Sequence, residues 1–161
     1  MKDVRSRKVA FLAYCLLDQN ARAEGIANYP GPVSKIVENL IRTKVGMVQM
    51  PCPELLYEGF DRSPHPKSWY DNEEFRIICR NCAEQVVARV EKYVKNGYQV
   101  VSIIGVEHTP SCAVDVLKVN VNRERELVKG QGIFIEELLK ELNTKDLNNV
   151  PIIGTCINKK R

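Results

Sequence analysis

The sequence predicts an α/β fold, a Rossmann-like three-layer domain built on a mostly parallel sheet of about four strands. Two observations carry this. Four short apolar runs rich in Val and Ile, near residues 9–14, 45–50, 99–106 and 150–155, have the near-continuous hydrophobicity of strands covered on both faces. Between them lie segments with helical spacing, and strands alternating with helices pack as a doubly wound layer structure with right-handed crossovers.

Taken in order, the first strand is expected over about Lys8 to Tyr14, followed by a long loop from Asp18 to Pro32 punctuated by Gly25, Pro30 and Gly31. A helix is expected from near Pro32 to Thr43, with Val33, Ile36, Val37, Leu40 and Ile41 at helical spacing and Pro32 suited to a first turn. The second strand, Val45 to Met50, is stopped by Pro51 and Pro53 on either side of Cys52. An aromatic and proline-rich insert spans about residues 54–70 and contains Tyr57, Phe60, Trp69 and Tyr70; inserts of this length in compact folds are often functional.

A long helix is then expected from Asp71, as N-cap, to Asn96-Gly97. The third strand, Gln99 to Val106, is the most apolar and is expected to be central. The charged stretch from Asn120 to Lys129 carries no clear signal. A helix from about Ile133 to Leu142 and a strand from Val150 to Thr155 complete the order.

The 161 residues, 44% hydrophobic and 27% charged, suit one soluble domain over residues 1–161 with a substantial core. The net charge of +4 fits a solvated surface. The basic residues Lys2, Arg5, Arg7, Lys8, Lys159, Lys160 and Arg161 look like frayed ends and not like a binding stripe. The N-terminus is polar through Lys8 with no secretory signal, and no run is long enough to cross a bilayer. The expected compartment is therefore the cytoplasm, where thiols stay reduced and serve as ligands or nucleophiles more than as disulfide partners.

Three of the six cysteines stand just past a predicted strand: Cys15, Cys52 and Cys112. In a parallel sheet all three thiols emerge at the carboxyl edge, where open α/β sheets bind ligands. Cys52 sits between two prolines that fix its backbone, with Glu54 within reach as a proton-transfer group. Asn20 and Arg22 supply donors near Cys15, and Thr109 and Ser111 supply hydroxyls near Cys112. His108 reads as a surface or supporting residue. Cys156 follows the last strand and reads equally as a further thiol at that edge or as a small apolar residue.

The pair Cys79 and Cys82 has redox or zinc spacing but falls about two turns inside a helix, without a second pair. Gly130-Gln131-Gly132 lacks a third glycine and a preceding strand, so a dinucleotide site is unsupported. No nucleophile-elbow signature is present.

The three motifs taken together, Cys15-Leu16-Leu17 with Asn20 and Arg22, then Cys52-Pro53-Glu54, then Thr109-Pro110-Ser111-Cys112, resemble the iron–sulfur thiouracil desulfurase family over about Lys8 to Ala113. The resemblance implies a compact α/β fold and a 4Fe–4S cluster held by Cys15, Cys52 and Cys112, with Glu54 and Ser111 handling protons or orienting substrate. It implies a desulfurase that removes sulfur from a thiolated nucleobase, nucleoside or similar small molecule without net redox change. The chain departs from the usual pattern at Asp18, Thr109 and Ala113, which leaves the substrate open, with thiolated RNA a further partner class. The alternative reading is a non-catalytic iron–sulfur or zinc-binding module, or a sulfur carrier. A third is a thiol-redox protein using Cys79 and Cys82.

Overall fold

The computed structural model describes residues 2–157. Four parallel strands form the central sheet: β1 (Lys8–Leu12), β2 (Gly46–Gln49), β3 (Gln99–Val106) and β6 (Ile152–Thr155), in the order β2-β1-β3-β6. The helices are α1 (Tyr14–Leu17), α2 (Ser34–Arg42), α3 (Pro53–Glu58), α4 (Lys67–Tyr70), α5 (Glu73–Lys95) and α6 (Ile133–Thr144). The sheet flanked by helices is the expected Rossmann-like three-layer arrangement.

The crossovers run outward from β1 to β2 through α2, then back past β1 to β3 through α5, and on to β6 through α6. Right-handed connections therefore put α2 on one face and α5 and α6 on the other, and α5 and α6 pack against each other. The chain reverses its direction of travel between β1 and β3, the switch point at which such sheets open a crevice.

The two central strands are the most apolar because they are covered on both faces. Phe11, Leu12 and Ile103 are fully buried, as are Phe75 and Val87 of α5 and Phe134 and Leu138 of α6. Their register aligns Phe11 with Ile103 and Val48. Edge strand β6 is shorter and leaves Ile153 exposed.

The boundaries differ from expectation in informative places. The first strand stops at Leu12, and Tyr14 to Leu17 turn into the short helix α1, so Cys15 sits in a helical turn and not on a strand end. The long helix is capped by Asn72, whose side chain accepts from Phe75 N at 2.9 Å, and not by Asp71. Asp71 instead accepts from Arg76 Nε at 2.7 Å.

The unassigned charged stretch forms an antiparallel hairpin, β4 (Val116–Val121) with β5 (Glu124–Lys129). Its two-residue turn, Asn122 (φ 48°) and Arg123 (φ 70°), is left-handed at both positions, the backbone that matches strand twist in tight hairpins. The insert contributes α3 and α4. Tyr70 is fully buried, and Tyr57 packs edge-on against Tyr70 and Phe75 with centroids 6.3 and 5.4 Å apart.

Of the basic ends, Arg5 pairs with Asp3 and Arg7 lies over the Tyr98 ring at 5.9 Å; Lys159, Lys160 and Arg161 lie outside the described residues. Among the described residues no helix is long and apolar enough to cross a membrane.

Candidate functional site

Each of the three predicted thiols is carried to the carboxyl edge by its own strand. Cys15 lies in α1 three residues past β1, Cys52 is the N-cap residue of α3 past β2, and Cys112 lies in the loop after β3. Pro53 at the first turn of α3 fits because its missing N–H would have had no helical partner there.

The Cys112 loop is the most constrained of the three. Thr109 Oγ1 donates to Val106 O at 2.8 Å and accepts from Cys112 N at 3.1 Å, closing the turn on itself. Val106 N then donates to Cys112 O at 2.9 Å. Glu107 holds the far side, its carboxylate accepting from the backbone N–H groups of Val114, Asp115 and Val116.

Two glycines make room for this loop. A Cβ at Gly132 would sit 2.2 Å from the Ser111 carbonyl carbon, and one at Gly105 would sit 2.3 Å from Cys112 O. A third, Gly154, leaves space for the Glu107 side chain. Glu107 and these glycines carried no recognisable motif, because their role is to accommodate a neighbour distant in sequence.

The three thiols lie near one another. Burial raises the Cys112 thiol well above the ordinary range, and the neighbouring Cys52 and Cys15 and the Glu54 carboxylate raise it further. Burial also pushes Cys52 up to about 12, with Glu54 and Cys15 contributing. Cys15 is raised by burial too, opposed by the charge and hydrogen bonding of Arg22.

Glu54 and Ser111 meet at the same place. Ser111, fully buried, donates its hydroxyl proton to the Glu54 carboxylate, and its Oγ lies 3.7 Å from Cys112 Sγ. Arg62 faces Glu54 from the other side, Nε to Oε2 at 3.6 Å, with its side chain only 4% exposed.

Arg62 was not foreseen from the sequence. It also donates to Gly59 O at 2.9 Å and to Ala21 O at 2.6 Å, tying the insert to the loop after α1. In that loop, buried Gln19 donates to Cys15 O at 2.6 Å and accepts from Asn28 N at 3.1 Å. Asn20 turns away to its neighbour Asp18 at 2.8 Å.

Arg22 Nη1 is buried without a hydrogen-bond partner, while Arg62 Nε, which makes no hydrogen bond, faces the Glu54 carboxylate in its 3.6 Å ion pair. A buried cationic donor left without a partner is costly, and Arg22, beside Cys15, suits surroundings that carry negative charge.

Among the described residues, no three His, Cys, Asp or Glu side chains are arranged to hold a single metal ion. The donor set of three cysteines is chemically that of a four-iron cluster with one iron left free of protein ligands.

Two of the other cysteines do not join this group. Cys79 and Cys82 are buried on the core side of α5, and burial raises both thiols, Cys82 to about 11. A thiol-redox role needs exposed, readily ionised thiols, so that reading fails. Cys156 is exposed just past β6. His108 occupies a left-handed turn position (φ 68°). Of the insert aromatics, Tyr70 belongs to the core and half-buried Tyr57 packs against it, while Phe60 and Trp69 are exposed at 62% and 55%, Trp69 stacking on His65 with centroids 4.3 Å apart. A wide cavity of about 710 Å³ between α5 and α6, lined by Arg76, Glu136 and Glu137 among others, shares no residue with the thiol site.

Fold and site together define an α/β protein with a parallel sheet whose carboxyl edge gathers three thiols, a carboxylate and a hydroxyl. No family model matches the chain. It is 30% identical over 139 residues to the uncharacterized protein MJ0003 of Methanocaldococcus jannaschii, covering 86% of this chain and 80% of that protein. The chain belongs to the family of that archaeal protein. Its fold is similar to that of the [4Fe-4S]-dependent thiouracil desulfidase TudS, with a TM-score of 0.56 and 17% identity over 91% of this chain and 90% of the other.

Proposed function

We propose that this protein is a 4Fe–4S-dependent, non-redox desulfidase acting on a thiolated nucleobase, nucleoside or similar small molecule. Cys15, Cys52 and Cys112 would hold the cluster. The observation that carries this reading is the convergence of three thiols from three strand ends on the hydrogen-bonded Glu54–Ser111 pair. The fold shared with TudS supports it.

A cluster held by Cys15, Cys52 and Cys112 would supply Lewis acidity toward the substrate's sulfur at an iron free of protein ligands. The net reaction is C=S + H₂O → C=O + H₂S, with no change of oxidation state at carbon or sulfur. Glu54 accepts a proton from the attacking water. Arg62 holds the Glu54 carboxylate in place from behind, and Ser111 orients the face that meets the substrate. Arg22, beside Cys15, balances the negative charge of the thiolates.

The experiment is a sulfide-release assay with anaerobically reconstituted protein on thiouracil and thiouridines. Release of sulfide with stoichiometric formation of the oxo product is expected. Iron-loaded protein that releases none from any of these compounds would instead be a non-catalytic iron–sulfur module or a sulfur carrier.

A further inference from the structure

The β4–β5 ribbon stands apart from the main sheet. Leu117 is buried at its base, and beyond that the ribbon makes no substantial contact with another strand or helix among the described residues. Two strands alone are marginal in water and gain stability from a third strand or a covered apolar face. On one face Leu117, Val119 and Val121 form an apolar stripe running out to the tip, where Val121 is 39% exposed.

The outer edge of β4 is open. Val121 and Glu124 flank the two-residue turn, so their backbone groups bond across the ribbon, as do those of Val119 with Glu126 and of Leu117 with Val128. The N–H and C=O groups of Lys118 and Asn120 therefore point away from β5. Val116 fixes the same phase: its N–H donates to Glu107 at 2.9 Å and its carbonyl accepts from His108 N at 2.8 Å, both partners lying outside the ribbon. Among the described residues, nothing bonds to the outward groups of Lys118 and Asn120.

We infer that a second copy of this chain docks here, the two β4 strands pairing antiparallel about a two-fold axis at Val119 to make a four-stranded sheet. In that register each Lys118 lies opposite the other copy's Asn120, so the outward N–H and C=O groups of both strands are bonded. On the apolar face Val119 meets its own counterpart and Leu117 meets Val121, and no charged side chain is set directly opposite a like one. The other free edge excludes itself. Strand β5 carries Glu124, Arg125, Glu126 and Lys129. Self-pairing centred on Arg125, Glu126 or Leu127 sets Arg125 against Arg125, Glu126 against Glu126, or Arg125 against Lys129. The β4 contact is isologous and closes at two copies. It does not depend on the desulfidase reading.

The test is sedimentation velocity of the full chain across a wide concentration range, where a species of twice the chain mass is expected. Asn120→Pro removes an outward N–H and no bond of the β4–β5 ladder, and is expected to leave a monomer. Arg125→Pro makes the same change on the outer edge of β5 and is expected to leave the dimer intact. Val119→Lys sets two ammonium groups against each other at the axis and is expected to dissociate the dimer with the backbone unaltered. A wild type that stays monomeric at every concentration overturns the inference, as does a dimer that survives both Asn120→Pro and Val119→Lys. A dimer lost in Arg125→Pro and kept in Asn120→Pro moves the contact to β5 and overturns it as well.

Discussion

Ser111 donates its hydroxyl proton to Glu54 across 57 positions of sequence, joining the loop after β3 to the first turn of α3. The same oxygen lies 3.7 Å from Cys112 Sγ. A thiol, a hydroxyl and a carboxylate thus form one continuous polar contact, through which the Cys112 proton can leave when the sulfur takes a metal. The pair also fixes where a water must stand to lose its proton to Glu54.

Glu54→Gln keeps the shape and removes the base. It is expected to retain iron and lower the sulfide-release rate by about 10²- to 10⁴-fold, with Ser111→Ala causing a smaller loss. A Glu54→Gln protein that keeps wild-type kcat with full iron would remove Glu54 from the chemistry.

The packing of Gly132 against the Ser111 backbone makes a second expectation. In Gly132→Ala the new methyl meets main-chain atoms that cannot swing away, so the loop must shift at a cost of about 1–3 kcal/mol. Iron retention should fall with it. Gly31→Ala, where nothing lies within 4 Å of the added carbon, serves as the control. Equal urea midpoints and iron contents for the two variants would contradict this account of the loop.

The buried thiols give the cluster-free protein a definite pH dependence. Cys15, Cys52 and Cys112 are raised in the folded state, Cys52 to about 12, against about 8.5 for a free cysteine. The folded state therefore holds protons that the unfolded chain has released. That stability is fully present below about pH 8.5 and is lost as the pH climbs through the folded values. Denaturant midpoints measured between pH 7 and 11 should fall steadily above pH 9 in the cluster-free wild type. The fall should be smaller in the Cys52→Ala variant, and an identical fall in both would contradict the assignment.

How far the site could be read beforehand follows from what each residue depends on. The strands, and the position of the three cysteines just past them, were legible because apolar runs and the residues that end them are local features. The turn of Cys15 into α1 was not, since nothing in the sequence there breaks the apolar run before Leu17. The β4–β5 hairpin was missed because its turn is Asn122-Arg123, without the glycine that usually marks two left-handed positions. Arg62 and Glu107 stayed hidden because their partners are backbone groups and a carboxylate brought together only by folding.

The cap of α5 shows the same limit at the scale of one residue. Asp71 and Asn72 are both good capping types, and only the structure distinguishes them. Asn72→Ala should destabilise by ~1 kcal/mol. Asp71→Ala loses a partly exposed ion pair with Arg76 and should cost less, within ~0–1 kcal/mol. The reverse order in urea unfolding would place the cap at Asp71.

The most direct test is the iron and acid-labile sulfide content of anaerobically reconstituted protein, read beside its visible spectrum. About four irons and four sulfides per chain are expected for a single 4Fe–4S cluster, with the brown colour lost in Cys15→Ala, Cys52→Ala and Cys112→Ala and kept in the Cys79→Ala, Cys82→Ala double variant. A colourless, iron-free wild-type protein, or one that keeps its iron after Cys112 is replaced, would contradict a cluster bound by these three thiols.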